Sequence, residues 1–310
     1  MGGSLLAGNG RAWIAHFCCL GSHSFSDIDR QSKGLRMSKL AAMVFFGGIL
    51  GLMASERVET LRLEPAPNMI RAELHHIATA SSPKAVLVLC PGCNGSGENL
   101  VRSREWIDFA KKNNLGLVGL SFASPMPAIL DGTGYYYASK GSGEKLVAGI
   151  REIYARDLPL LLYGFSGGAH FTSRFEEWNP NRVLSWCAYS AGWWDEPQRN
   201  PISPPGIVAC GDEDPRYGAS LIHFKQGRAA GKPWLWVSLA RTGHEGSSNL
   251  DEFVRCYFEA VLSRSEKAGA WIDIDREVEV NDVFAKEFPS LVGWLPARAL
   301  IKAWQEVHSP

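Results

Sequence analysis

The stretch Leu158-Pro-Leu-Leu-Leu-Tyr-Gly-Phe-Ser166-Gly-Gly168 decides the reading of this chain. Leu158–Phe165 is a largely apolar run of strand length, with Pro159 near its start and glycines at its end. A run of that kind is expected of a strand buried on both faces. Gly164-Phe165-Ser166-Gly167-Gly168 then has the pattern G-x-S-x-G, and Ala169–Trp178 follows as a helix. A tight strand-to-helix turn lifts the serine side chain clear of the backbone, and only glycine fits the crowded flanking positions. The helix start aims unpaired N–H groups and a positive dipole end at the same point. Ser166 is therefore the candidate nucleophile, although a glycine-rich turn of this kind also occurs as a purely structural device.

Working outward, apolar runs alternate with amphipathic ones. Val58–Leu63 and Ile70–Ala78 read as an antiparallel pair of strands, and Ala85–Leu89 as a buried strand. Glu98–Lys112 reads as a helix, Leu115–Phe122 as a strand and Ser142–Ala155 as a helix. Beyond the turn, strands are expected at Val183–Tyr189, Gly206–Ala209 and Trp234–Leu239, with helices at Tyr217–Ala230 and Asn249–Ser263. Such alternation predicts an α/β domain, a mostly parallel sheet with helices on both faces.

A serine hydroxyl needs a base to become a good nucleophile. Of eight histidines, His244 sits in a glycine-flanked loop after the last core strand, where a doubly wound sheet presents its carboxyl edge. The third partner is a carboxylate that orients the imidazole. Strand Gly206–Ala209 runs into Gly211-Asp212-Glu213-Asp214-Pro215, so the chain order is Ser, Asp, His; three acids crowd the loop, and spacing leaves Asp212, Glu213 and Asp214 all open.

These residues resemble the α/β-hydrolase superfamily over about residues 60–265, and are similar to small secreted esterases related to feruloyl esterases and polyhydroxyalkanoate depolymerases. The resemblance implies an α/β-hydrolase fold and a serine esterase forming an acyl-enzyme, with no metal or organic cofactor. Its G-x-x-D pattern falls on Gly211 and Asp214, which makes Asp214 the implied acid and Asp212 the reserve. Its H-G-x turn falls on Pro91-Gly92-Cys93, so the N–H groups of Cys93 and Gly167 are the implied oxyanion hole. Pro91 replaces the family's histidine, but the donor is main chain. A peptidase of the same fold would share every one of these residues, and a non-catalytic binding protein is the reading from another class.

Only about fifteen residues, 191–205, separate a core strand from the acid loop, which predicts a short or absent lid. Asn94, Tyr135, Tyr136, Trp193 and Trp194 lie in loops and are candidates for substrate binding; packing against the C-terminal stretch is the competing expectation for the aromatics.

Thirty-two basic residues balance thirty-two acidic ones, which leaves no electrostatic footprint for nucleic acid. An apolar fraction of 45% is enough for a real core. The expected partner is a small or polymer-derived ester. Seven cysteines include a lone CxxC at Cys90 and Cys93, with no second pair at zinc spacing, and are read as small apolar residues.

Four regions are expected: an uncertain segment 1–36, a signal peptide or apolar anchor 37–55, the catalytic domain 56–265, and an extension 266–310 packed on that domain. Residues 40–54, LAAMVFFGGILGLMA, follow Met37-Ser-Lys39 and precede a polar stretch. That is a secretory pattern, too short for a comfortable membrane span of ~20 residues. A secreted or periplasmic location follows, with membrane contact only if the segment is retained. A buried helix of the domain is the alternative.

Overall fold

The computed structural model describes residues 57–263 and 269–308; the apolar segment 37–55 and residues 1–36 lie outside them. The first strands are β1 (Glu59–Arg62), β2 (Arg71–Ile77) and β3 (Ala85–Cys90), followed by helix α1 (Arg104–Lys112) and strand β4 (Leu115–Ala123). Next come α2 (Met126–Leu130), α3 (Ser142–Tyr154), β5 (Leu160–Phe165), α4 (Gly167–Trp178), β6 (Val183–Tyr189) and β7 (Gly206–Gly211). Helix α5 (Tyr217–Ala229), β8 (Trp234–Leu239) and α6 (Ser248–Leu262) complete the main layer.

Strands β1 to β8 form one sheet in the order β1-β2-β4-β3-β5-β6-β7-β8. From β4 to β8 every pairing is parallel, and β1 and β2 add an antiparallel edge. The chain crosses from β3 to β4 in one direction and returns past β3 to β5. Right-handed crossovers then put α1 on the opposite face from α3, α4 and α5. Contacts bear this out: Lys112 of α1 pairs with Glu259 of α6, and Arg255 of α6 lies over the Trp106 ring of α1. On the other face, Gly143 of α3 gives way to the ring of Trp178 of α4. Strands β3, β4, β7 and β8 are buried along their whole length, as continuous apolar runs require.

The expected helix over Glu98–Lys112 is broken. Leu100–Arg102 is a short 3-10 turn, Ser103 is extended (φ −62°, ψ 124°), and α1 starts only at Arg104. Strand β5 likewise starts at Leu160, because Pro159 has no N–H for the ladder, although its carbonyl accepts from Val86 N at 2.9 Å. Residues 191–205 contain no helix or strand and so form no folded lid themselves.

Past α6, β9 (Ala270–Asp273), β10 (Val278–Val280), helix α7 (Asp282–Glu287), β11 (Val292–Leu295) and helix α8 (Ile301–Val307) build a small second sheet, in the order β10-β9-β11. It is tied to the main layer through buried polar contacts. Arg228 Nε of α5 donates to Val292 O at 2.7 Å, and Trp304 Nε1 of α8 donates to Trp236 O at 2.9 Å. Ser238 N of β8 donates to His308 Nδ1 at 3.0 Å.

Candidate active site

Ser166 sits between β5 and α4 at φ 52°, ψ −110°, a conformation that costs a non-glycine residue about 1–3 kcal/mol. Its surroundings over-determine that strain. Ser166 N donates to Tyr189 O of β6 at 2.8 Å, and Ser166 O accepts from Ala169 N at 3.1 Å in the first turn of α4. The flanking glycines are required by close backbone approach. A Cβ on Gly164 would lie 2.2 Å from Gly168 O, and one on Gly168 would lie 2.1 Å from Cys90 O.

His244 Nε2 lies 2.9 Å from Ser166 Oγ, and His244 Nδ1 lies 2.8 Å from Asp214 Oδ2. The three side chains thus come from three different connections at the carboxyl edge of the sheet: β5–α4, β7–α5 and β8–α6. Asp214 is 2% exposed. Burial alone would raise its carboxyl, but the hydrogen bonds from His244 and from the backbone and guanidinium of Arg216 outweigh it and hold it well below the usual carboxylate range. It is therefore an anion facing the imidazole. Asp212 has other work: its Oδ1 accepts from Thr242 N at 3.3 Å, and its own N–H donates to Leu239 O at 3.0 Å. It laces the acid loop to the histidine loop. Gly211 permits that closeness, since a Cβ there would lie 2.0 Å from Thr242 O.

The Cys93 amide abuts the start of α4: a Cβ on Gly167 would lie 2.6 Å from both N and Cα of Cys93. The loop that carries Cys93 and the helix start that carries Gly167 therefore meet beside Ser166.

No protein-family model matches the chain, and a search of curated proteins finds no match. Solved structures do match. One is LpqC, the poly(3-hydroxybutyrate) depolymerase from Bordetella parapertussis, at 17% identity and a TM-score of 0.51, covering 66% of this chain and 90% of that one. Another is the esterase LipW from Mycobacterium marinum, at 12% identity and a TM-score of 0.50, covering 68% of this chain and 82% of that one.

The chain has the α/β-hydrolase fold.

Within this fold several residues that sequence reasoning passed over hold the site together. Arg216 donates from its backbone N (3.0 Å) and from Nη1 (2.9 Å) to Asp214 Oδ1, leaving Oδ2 for His244. Its position two residues after the acid was the available signal. Phe165, the variable position of G-x-S-x-G, stacks on His244 at 4.9 Å between ring centroids. Tyr189 OH donates to Glu245 O at 2.6 Å and pins the histidine loop.

The loop aromatics divide. Tyr136 is fully buried and stacks on His170 of α4 at 4.6 Å. Half-buried Trp193 lies against the same imidazole at 4.1 Å, and its Nε1 donates to Tyr137 OH at 3.3 Å. Trp194 turns toward α5, stacking on His223 at 4.2 Å and donating to Ser220 Oγ at 3.2 Å. Tyr135 is buried, and its OH accepts from Asn94 N at 3.1 Å. The Asn94 side chain is engaged at both ends, with Nδ2 donating to Ser124 O and Oδ1 accepting from Ser124 N, each at 3.0 Å. These ring contacts are to α4 and α5, not to the C-terminal sheet. Cys90, the first cysteine of the CxxC pair, is buried and its thiol is pushed up to about 12 by that burial, far from a reactive thiolate.

Proposed function

We propose that this protein is a serine hydrolase that cleaves carboxylic esters through an acyl-enzyme. The observation that carries the reading is one imidazole within hydrogen-bond distance of both a strained serine hydroxyl, at 2.9 Å, and a buried carboxylate, at 2.8 Å. Ser166 Oγ attacks the ester carbonyl carbon while His244 Nε2 takes its proton. Asp214 fixes the tautomer that presents Nε2 and stabilises the imidazolium that forms. The developing oxyanion is held by the N–H groups of Cys93 and Gly167, each worth about 3 kcal/mol where the donors are preorganised. His244 then protonates the departing alcohol. A water, deprotonated by the same imidazole, releases the acid.

An ester is favoured over a peptide bond because an alkoxide is a far better leaving group than an amide anion, so an amide needs its nitrogen protonated before the bond can break. The open stretch 191–205 leaves room for a bulky or polymer-derived acyl group, and half-exposed Trp193, packed on His170 of α4, offers it an aromatic wall. The test is labelling with a fluorophosphonate probe, alongside turnover on a panel of aryl, alkyl and hydroxyalkanoate esters and matched anilides. Wild type is expected to label and to turn over esters. Ser166→Ala is expected to lose the label and to fall by three or more orders of magnitude, leaving only binding and oxyanion stabilisation. A variant that keeps a tenth of wild-type turnover would exclude Ser166 as nucleophile.

Export is proposed with the activity, on the pattern of residues 37–55. A chain beginning at Glu56 is expected to be soluble and as active as the full one, and the mature N-terminus to lie close to Ser55. Loss of solubility on that truncation would make the segment part of the core instead.

A further inference from the structure

We infer that Arg71, on the antiparallel edge of the sheet, is the positioning residue for the oxyanion-hole loop. The inference rests on the hydrolase reading above and concerns how its main-chain donor is aimed.

Backbone carbonyls and amides of residues 92–97 have no regular ladder to hold them, and an N–H contributes to an oxyanion hole only if it points at the reacting oxygen. The Cys93 N–H belongs to the Gly92–Cys93 peptide. That peptide is trans, so its N–H points opposite to Gly92 O. Gly92 O accepts from Gly95 N at 2.9 Å in a tight turn, which makes the orientation of Gly95 decide the orientation of Cys93 N–H. The turn contains Asn94 at φ 53°, a left-handed position that Asn tolerates; Ser124 anchors its side chain, which leaves the carbonyls of Asn94 and Gly95 to be held from elsewhere.

Arg71 supplies the restraint. Its Nη2 donates to both Asn94 O and Gly95 O, each at 2.6 Å, and its Nε donates to Ser121 O of β4 at 3.3 Å. One planar guanidinium therefore bridges the loop to the sheet, and its rigid fork fixes direction as well as distance. From the other side the Tyr135 hydroxyl accepts from Asn94 N. Topology explains why this residue can reach. Strand β2 runs against β4, with Arg71 opposite Ala123, so the first residue of β2 lies at the carboxyl edge where the parallel strands end.

The experiment compares wild type with Arg71→Ala, Arg71→Gln and Arg71→Lys, with melting midpoints recorded for each. The readouts are kcat and KM on a p-nitrophenyl ester, and affinity for a boronic acid that forms a tetrahedral adduct on the serine. Arg71→Ala is expected to lower kcat tenfold or more with KM within about twofold, since a misaimed donor is lost mainly in the transition state. Boronate affinity should fall by a similar factor, and added guanidinium ion should restore part of kcat. Lys keeps a charged donor but lacks the fork that bridges loop and sheet, so it should recover only part of the rate, and Gln less. A kcat within twofold of wild type in Arg71→Ala overturns the inference, and if that variant does not fold, the same result in Arg71→Gln does so. Arg62→Ala, which removes an exposed arginine of β1, is expected to leave kcat unchanged. If wild type itself neither labels nor hydrolyses esters, the hydrolase reading fails first. An active, labelled wild type with an indifferent Arg71 removes only the positioning role.

Discussion

Asp212 and Asp214 stand two residues apart on one loop, and nothing in their side-chain chemistry separates them. Their surroundings do. Asp214 is buried against His244 and Arg216, whereas Asp212 is exposed and bonded to main chain. Asp214→Asn would place an amide donor or a weaker acceptor against His244 Nδ1 and favour the wrong tautomer. Its kcat is expected to drop about 10⁴-fold, by analogy with the same change in a serine protease triad. Asp212→Asn should stay within a few-fold, because an amide oxygen can still accept from Thr242 N. Steady-state kinetics on one ester decides, and a larger loss at Asp212 would reverse the assignment. The sign of the pH effect follows from the same contacts. A carboxyl held low in the folded state adds stability above its ordinary pKa of about 4, and that contribution is lost as pH falls below it toward the folded value.

Elements were legible where their own sequence set their limits. Buried parallel strands need unbroken apolar runs, so β3 to β8 could be seen without a structure. The elbow could be seen because close backbone approach excludes any Cβ at Gly164 and Gly168, and the motif records that exclusion directly. Element ends were less readable. The amphipathic pattern runs through Ser103 unbroken, yet the backbone there turns extended as the chain passes from the loop under β4 to α1. Gly97 packs against Gly119 of β4 so closely that a Cβ would lie 2.3 Å from its carbonyl carbon. That crossing sets where the helix can begin, and a one-dimensional period carries no trace of it.

At the scale of the molecule, burial of ionisable groups shapes stability from both sides of neutrality. Burial depresses His223 to about 3 and His308 to about 4, so both stay neutral in the fold. The stability they carry is present above about 6.5 and is lost as pH falls toward those folded values. Glu176 of α4 runs the other way. Burial, opposed by Lys232 and assisted by Glu177, raises it well above the usual carboxylate range, so its contribution is present below about 4.5 and is lost as pH rises toward the folded value. Lys232 keeps Glu177 as its partner at 2.7 Å against 3.7 Å to Glu176, so a neutral side chain at 176 does not strand it. Glu176→Gln is therefore expected to melt near wild type at pH 5 and above it at pH 9. A gap between the two melting curves that does not change with pH would contradict this. The sequence by itself determined the layered α/β architecture, the serine on its turn, the histidine in its loop and the order in which they come, because strand burial and glycine geometry are local demands written at each position. Only the tertiary structure decided which aspartate faces His244, that Tyr135 and Asn94 brace a loop, and that Arg71 reaches Asn94 and Gly95. Those outcomes depend on which sheet edge and which connection come together in space, and the direction of a side chain across such a gap is set by packing between segments far apart in the chain.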